Sequence, residues 1–377
     1  MSISVDLIVF WVVVLARVLV PLTIPRYPLP GILAALILDA VDQTIFQALS
    51  GLTFAGYQGY DKALDIYYLA VAYIATLRNW TNYTAVRIGR FLFYYRLLGV
   101  LLFEVFQFRW LLLLFPNVFE YFFIFYEVYR LRWDPRRLTA NALFGVTALI
   151  WIVIKLPQEY WIHVAQLDVT DMLKLGLGYP LTTPWRQIIS ANAGLFILLS
   201  AGLTLLIVFI WRRLRRGLPP ADWPVSFEPD AHLERPSQAR LIRTSRVLAD
   251  RFLDQELFEK TALISLLVII FAHILPGIRS TDWELALAIT IVIIINTLLS
   301  EWLARRGVAW SRALIQGIVM FAVNLPVFLL ISYARYGYFT LFSLTNILIF
   351  VLLLSLIITL YDRYRPIYLI RCYGTVY

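Results

Sequence analysis

Runs of about 20 apolar residues, separated by short polar connections, recur along almost the whole 377-residue chain. At ~1.5 Å of rise per residue, one such run crosses the hydrocarbon of a bilayer as a helix. In lipid, every backbone N–H and C=O must be satisfied within the segment, so successive runs of this kind fold as a bundle of helices. Composition agrees, with 61% hydrophobic and 15% charged residues, against about 45–50% and about 25% in soluble domains. The expected fold class is all-α, a polytopic transmembrane helix bundle.

About eleven spans are legible, near 4–24, 30–49, 58–79, 86–107, 109–131, 138–156, 190–211, 258–278, 283–303, 310–332 and 339–361. With the N-terminus outside, the inside connections are 25–29, 78–90, 130–137, 212–260, 304–312 and 362–377. Most of the 33 Lys and Arg then lie inside. Lys62, Arg109, Lys155, Lys174, Arg186, Arg279 and Arg335 fall outside, and Arg17 and Arg96 fall within spans. This asymmetry follows the positive-inside rule and predicts N-out, C-in insertion in the inner (plasma) membrane. The opening MSISVDLIVF has no basic n-region and no small-residue cleavage site, so a retained first helix is expected.

The chain divides by composition. Residues 1–156 hold about six spans with charges at depth. Residues 157–189 form a polar, aromatic outer segment expected on the interface, and 190–211 is span seven. Residues 212–257 form a cytoplasmic loop. Within it SQARLIRTSRVLADRFLDQEL has apolar residues at helical spacing, as in an amphipathic helix on the inner surface or docked on the bundle. Residues 258–377 hold about four apolar spans and a tail, relieved by Asn296, Asn324 and Asn346.

Several function classes are disfavoured. One cysteine, Cys372, excludes a disulfide within the chain and a multi-cysteine metal site. Three histidines are few for paired haem ligands. The basic excess sits beside membrane segments, where it orients the protein, so no nucleic acid is expected as a partner. There is no phosphate loop, nucleophile elbow or HExxH, and the sequence names no cofactor and no metal. NWT at 79 and NYT at 82 match the glycosylation pattern but fall in a connection placed inside. The aromatic abundance, 12 Trp, 22 Tyr and 25 Phe, is accounted for by interfacial belts.

What stands out is polarity inside the spans. LILDAVDQTIFQ carries Asp39, Gln43 and Gln47 at i, i+4, i+8, with Asp42 one position off, a stripe on span 2. Asp61 and Asp65 mark the outer end of span 3, span 4 carries Arg96, and span 5 carries Asn117 and Glu120 beside Pro116. Helical rise puts Arg17 about 18–20 Å below the outer face, Asp39 about 15 Å, Asp42 about 12 Å, Asp65 about 10 Å and Glu120 about 16 Å. Each mid-membrane charge costs roughly 2.5–3.5 kcal/mol on insertion scales, so such residues pair or line a path. One reading is a pair of structural ion pairs, Arg17–Asp39 and Arg96–Glu120. The other is a cation or proton path with Asp39 and Asp42 at its centre, Asp61 and Asp65 at an acidic mouth and the arginines as counter-charges. Depth counting offers Asp42 no cation of its own. In the outer segment Glu159, His163, Asp168 and Asp171 are the candidates for acid–base or metal chemistry.

The first functional expectation is movement of a cation, proton or small solute through spans 1–5. The second is a structural or assembly subunit that docks other membrane subunits through spans 8–11. The third is an enzyme acting on a lipid-linked substrate at the outer face, though catalysis is not the favoured reading.

Overall fold

The computed structural model describes residues 5–49, 58–165, 169–217, 219–233, 236–237, 240–241, 244, 255–275, 282–305, 313–336 and 341–373. Every regular element among them is helical. The first half contains α1 (Val5–Leu19), α2 (Pro28–Leu49), α3 (Gln58–Asn79), α4 (Tyr83–Phe106), α5 (Trp110–Leu114), α6 (Val118–Arg130) and α7 (Ala140–Val164). Two short helices follow, α8 (Val169–Gly176) and α9 (Trp185–Ala191), then α10 (Ala193–Gly217). The second half contains α11 (Gln255–Ile274), α12 (Asp282–Arg305), α13 (Ala313–Tyr336) and α14 (Leu341–Tyr373). Five stretches among the described residues are long and apolar enough to cross a membrane: Trp110–Arg130, Ala140–Val164, Ala193–Ile210, Ile315–Tyr333 and Leu344–Arg371.

Helix α3 lies at the centre, packed by α1, α2, α4, α11 and α14. Nearly every residue from Ala63 to Leu77 is buried. Ala63, Ala70, Ala72 and Ala75 let neighbouring backbones approach closely, as small residues do between membrane helices. Because protein rather than lipid surrounds it, α3 tolerates Asp61, Asp65 and four tyrosines and falls below the hydropathy of a lipid-facing helix. Its two ends define the two ends of the bundle.

At the Asn79 end, four connections interlock. Asn79 Nδ2 donates to Pro25 O at 3.0 Å, and Arg78 also reaches that carbonyl. Asn82 Oδ1 caps α4 by accepting from Ala85 N, while its Nδ2 donates to Pro135 O and Leu138 O, both at 2.9 Å. These two asparagines are structural and buried, so the NxT matches are not open acceptor sites. The segment 219–233 straps the same end. Trp223 Nε1 donates to Arg130 O at 3.0 Å, Asp222 N to Arg132 O at 2.8 Å, and Arg78 Nη2 to Asp230 Oδ2 at 2.7 Å.

His232 stacks on Trp223, with ring centroids 4.6 Å apart. Burial, and then the charge of Arg130, hold the imidazole below its usual value, against a weaker opposing contact from Pro224. The unfolded chain therefore binds more protons than the strapped one as pH falls. The contribution is complete above about pH 6.5 and is lost below it. Protease cleavage within 219–233 should accelerate as pH drops from 7.5 to 5.5 with an acid-tolerant protease, and His232→Phe should remove that pH dependence.

Several boundaries differ from the sequence reading. Pro116 splits the expected span 109–131 into α5 and α6 around Phe115–Asn117. Span six does not stop at 156: α7 continues to Val164 through two π segments, Ile150–Lys155 and Tyr160–Val164, on either side of Pro157. The helix therefore runs about two turns past the boundary expected at 157. Span seven starts at Ala193, after a break at Asn192, and its helix runs to Gly217. Most of the expected amphipathic helix at 237–257 lies outside the described residues.

Candidate functional site

The last turn of α1 presents Arg17, and the 3-10 turn Val20–Thr23 with Pro21 ends that helix. Tyr67 of α3 donates to Val18 O at 3.1 Å and pins the end in place. Asp39 and Asp42 share a face of α2 at i, i+3, and Asp61 and Asp65 share a face of α3 at i, i+4. The Arg17 guanidinium lies between the two faces. Nη2 binds Asp39 Oδ1 and Asp65 Oδ1, both at 2.5 Å, and Nη1 binds Asp42 Oδ2 and Asp61 Oδ1. A guanidinium fork offers four terminal N–H groups, and here they meet four carboxylates.

The cluster has a floor and a rim. Side-chain exposure is 3% for Arg17 and 4% for Asp42, but 32%, 30% and 40% for Asp39, Asp61 and Asp65. Oxygens of the three rim carboxylates lie within 4.8 Å of one another. One guanidinium cannot neutralise four carboxylates; fully ionised, the cluster would hold three uncompensated negative charges. It is therefore built to attract positive charge, as protons on the carboxyls or as a hard cation with oxygen ligands. The rim residues Asp39, Asp61 and Asp65 are the ones placed to share a single ion.

This arrangement alters three expectations. Asp42 does have a cation, since Arg17 reaches it. Asp61 belongs to the cluster rather than to a separate mouth. Arg96 does not pair with Glu120; its Nη1 donates to Phe115 O at 3.0 Å, satisfying a carbonyl at the Pro116 break. Gln43 and Gln47 have side chains outside the described set.

Glu120 lies beside the cluster in a second polar group. It accepts from Tyr68 OH at 2.5 Å and from Asn117 Nδ2 at 2.9 Å. Asn117 N donates to Glu159 Oε1 at 3.5 Å. The π segments of α7 turn Lys155 and Glu159 inward, both buried, while Ile152, Val153 and Ile162 stay exposed. Glu159 contacts Lys155 Nζ at 3.5 Å and His163 Nε2 at 3.0 Å. Glu159 and His163 thus sit on a helix long and apolar enough to cross a membrane, and not in a loop. Asp168 lies outside the described residues, as does the side chain of Asp171.

Two polar groups escaped the sequence reading, and a third joins asparagines that the sequence reading singled out but did not pair. Fully buried Glu127 accepts from Arg130 Nε at 2.8 Å and from Trp80 Nε1 at 2.8 Å. Glu259 of α11 joins Arg365, Arg90 and Tyr73, beside a Lys260–Asp362 pair at 2.8 Å. Asn296 donates to Asn324 Oδ1 at 2.7 Å, and Asn324 to Ser355 Oγ at 3.0 Å, tying α12, α13 and α14 together. Only the i, i+3 spacing of Glu127 and Arg130 was a local signal.

Scanned against protein-family models, curated proteins and solved structures, the chain matches none of them.

Proposed function

We propose that this chain is a multi-pass membrane protein of about eleven spans, N-out and C-in, that moves a cation or proton by way of the Arg17 aspartate cluster. The observation that carries the reading is four carboxylates on one guanidinium, with a buried floor and a partly exposed rim. A purely structural ion pair needs one acid per base, and acids beyond that ratio favour a mobile positive charge. The orientation is supported by the interlocked basic connections at the Asn79 end, about 25 Å along α3 from Asp61.

Asp42→Asn tests the reading. Asparagine keeps the shape and still accepts from Arg17 while removing one of the surplus charges. The variant should accumulate and unfold like the wild type in detergent, yet lose ion flux in proteoliposomes. Unchanged flux with unchanged stability would end the transport reading.

A second reading, a subunit of a larger membrane complex, draws on α10. From Ala193 to Ile210 none of that helix is buried within the chain. Of the helices first expected to dock partners, α11 and α14 are largely consumed by the core, so the available apolar surface lies on α10, α12 and α13. Nothing beyond geometry favours the enzyme reading, since the buried Glu159 is already paired.

A further inference from the structure

Toward the Asn79 end of the bundle the surplus of charge is positive. Arg90 of α4 and Arg365 of α14 stand against the same Tyr368 ring, and both reach a single carboxylate, Glu259. That carboxylate is already engaged, since Arg365 Nη1 and Tyr73 OH donate to it. Arg90 Nε lies 3.3 Å from Glu259 Oε1, yet neither Nε nor Nη2 of Arg90, both enclosed, makes a hydrogen bond. Guanidinium N–H groups held without an acceptor are costly, and the group that suits their fork best is a phosphate or carboxylate oxyanion. The Arg90 side chain keeps 31% of its surface exposed, so a small turn presents the fork to an oxyanion outside. Arg87, three residues earlier on the same face of α4, is exposed and lies over the Tyr83 ring at 5.6 Å. It has no acidic partner among the described residues. Two guanidiniums on one carboxylate leave one positive charge, and Arg87 adds a second.

The face of α4 that carries these arginines turns apolar beyond them. Phe91 follows Arg87 at i+4, and Tyr95 and Leu98 continue the line. Phe91 is 58% exposed and Leu98 41%, and Phe91 stacks on Tyr95 with ring centroids 5.6 Å apart. From Phe91 to Leu98 the stripe runs about 10 Å toward the middle of the bundle. A basic head followed by an apolar stripe is the order in which a phospholipid presents its phosphate and its acyl chain. We propose that this face of α4 binds an anionic phospholipid, with the phosphate held by Arg87 and Arg90 beside Tyr368 and an acyl chain laid along Phe91 and Leu98. Basic pockets between membrane helices on the cytoplasmic side take lipid headgroups in this way, and this is the end read above as cytoplasmic. A zwitterionic headgroup would bring a cation that the surplus positive charge repels, and a free phosphate would leave the stripe unused. The site requires nothing of the aspartate cluster and is independent of the transport reading.

The full chain, delipidated in a neutral detergent, is titrated with phosphatidylglycerol, phosphatidylcholine or inorganic phosphate, and binding is read by native mass spectrometry and thermal unfolding. Phosphatidylglycerol should stay bound and raise the unfolding temperature, while phosphatidylcholine and inorganic phosphate at the same concentration should do neither. Arg90→Gln should weaken phosphatidylglycerol binding by about tenfold or more, the scale of one charge-assisted hydrogen bond. Arg87→Gln should weaken it about fivefold, the scale of one basic residue at a lipid headgroup. Arg87 is exposed, so that variant remains informative if Arg90→Gln does not accumulate. Arg136→Gln, an exposed arginine at the same end of the bundle, should leave binding unchanged. Equal binding of the two lipids, or phosphatidylglycerol binding unchanged in both α4 variants, overturns the site. An equal loss in Arg136→Gln also overturns it, because the attraction is then that of a diffuse basic surface. Stabilisation by inorganic phosphate equal to that by phosphatidylglycerol overturns the lipid assignment in favour of a free anion.

Discussion

Arg17→Ala should prevent the protein from accumulating in the membrane. Removing one partner of a buried charge pair costs roughly 3–5 kcal/mol, and here four carboxylates lose the guanidinium they share at once. That approaches the whole stability of an ordinary domain, about 5–15 kcal/mol. The carboxyls can take up protons to limit the damage, but α1 and α2 would still lose their main polar tie to the first turns of α3. Arg17→Lys should recover only part of the loss, because an ammonium is a point donor and cannot span four acceptors in one plane. Adding Asp39→Asn and Asp61→Asn to Arg17→Ala should restore accumulation, since the charge surplus, not the missing bulk, is the defect. Size-exclusion profiles and thermal unfolding in detergent measure all three. Normal amounts of stable Arg17→Ala protein would show that the carboxylates are not held by that guanidinium.

How much of this was legible follows from what a sequence encodes. Depth along a span is a count of residues at a fixed rise, which put Arg17, Asp39, Asp42 and Asp65 near one another, and the structure brings them into contact. Azimuth and side-chain reach are not in that count. Arg17 spans more than a helical turn, which is how it gathers Asp42 and also Asp61, read as a separate entrance. Arg96 and Glu120 share a depth, yet Arg96 is drawn to the Phe115 carbonyl at the break between α5 and α6. Pro116 is visible in the sequence and a proline kinks or breaks a helix, but whether it kinks or splits the span is decided by the packing around Phe115–Asn117. The π segments of α7 were not: their extra residue per turn comes from packing, and nothing local in IWIVIK announces it.

Helix α3 shows the converse limit. Length marked it as a span, but its tyrosines and aspartates lower its hydropathy, and only its central position explains why that is tolerated. The group at Glu259 was hidden for another reason. Arg90 and Arg365 belonged to the inner basic connections and were read as orienting charges, so nothing assigned them to a partner 106 residues away from Arg365.

Glu259 carries the other large expected effect. It lies on the first turns of α11 and is surrounded by α3, α4 and α14. Arg365 Nη1 and Tyr73 OH donate to it, and Arg90 Nε lies 3.3 Å away. The two guanidiniums stand over the Tyr368 ring, 5.6 Å and 5.4 Å from its centroid, so their face-on contact with the aromatic adds to the same knot. Glu259→Ala leaves two positive charges facing each other without their shared anion and opens a cavity at the junction of four helices. A loss of roughly 3–4 kcal/mol is expected, toward the lower part of the range for a broken buried pair because Arg90 can turn partly to solvent. Glu259→Gln separates charge from shape: it keeps an acceptor for Arg365 and removes the charge, so it should fall between wild type and Glu259→Ala. The buried members are poorly screened, so both losses should change little between low and high salt, unlike an exposed pair such as Arg26–Glu228. Thermal unfolding of the three proteins at two salt concentrations decides it. If Glu259→Gln unfolds with the wild type, the charge contributes nothing and the knot is held by packing alone.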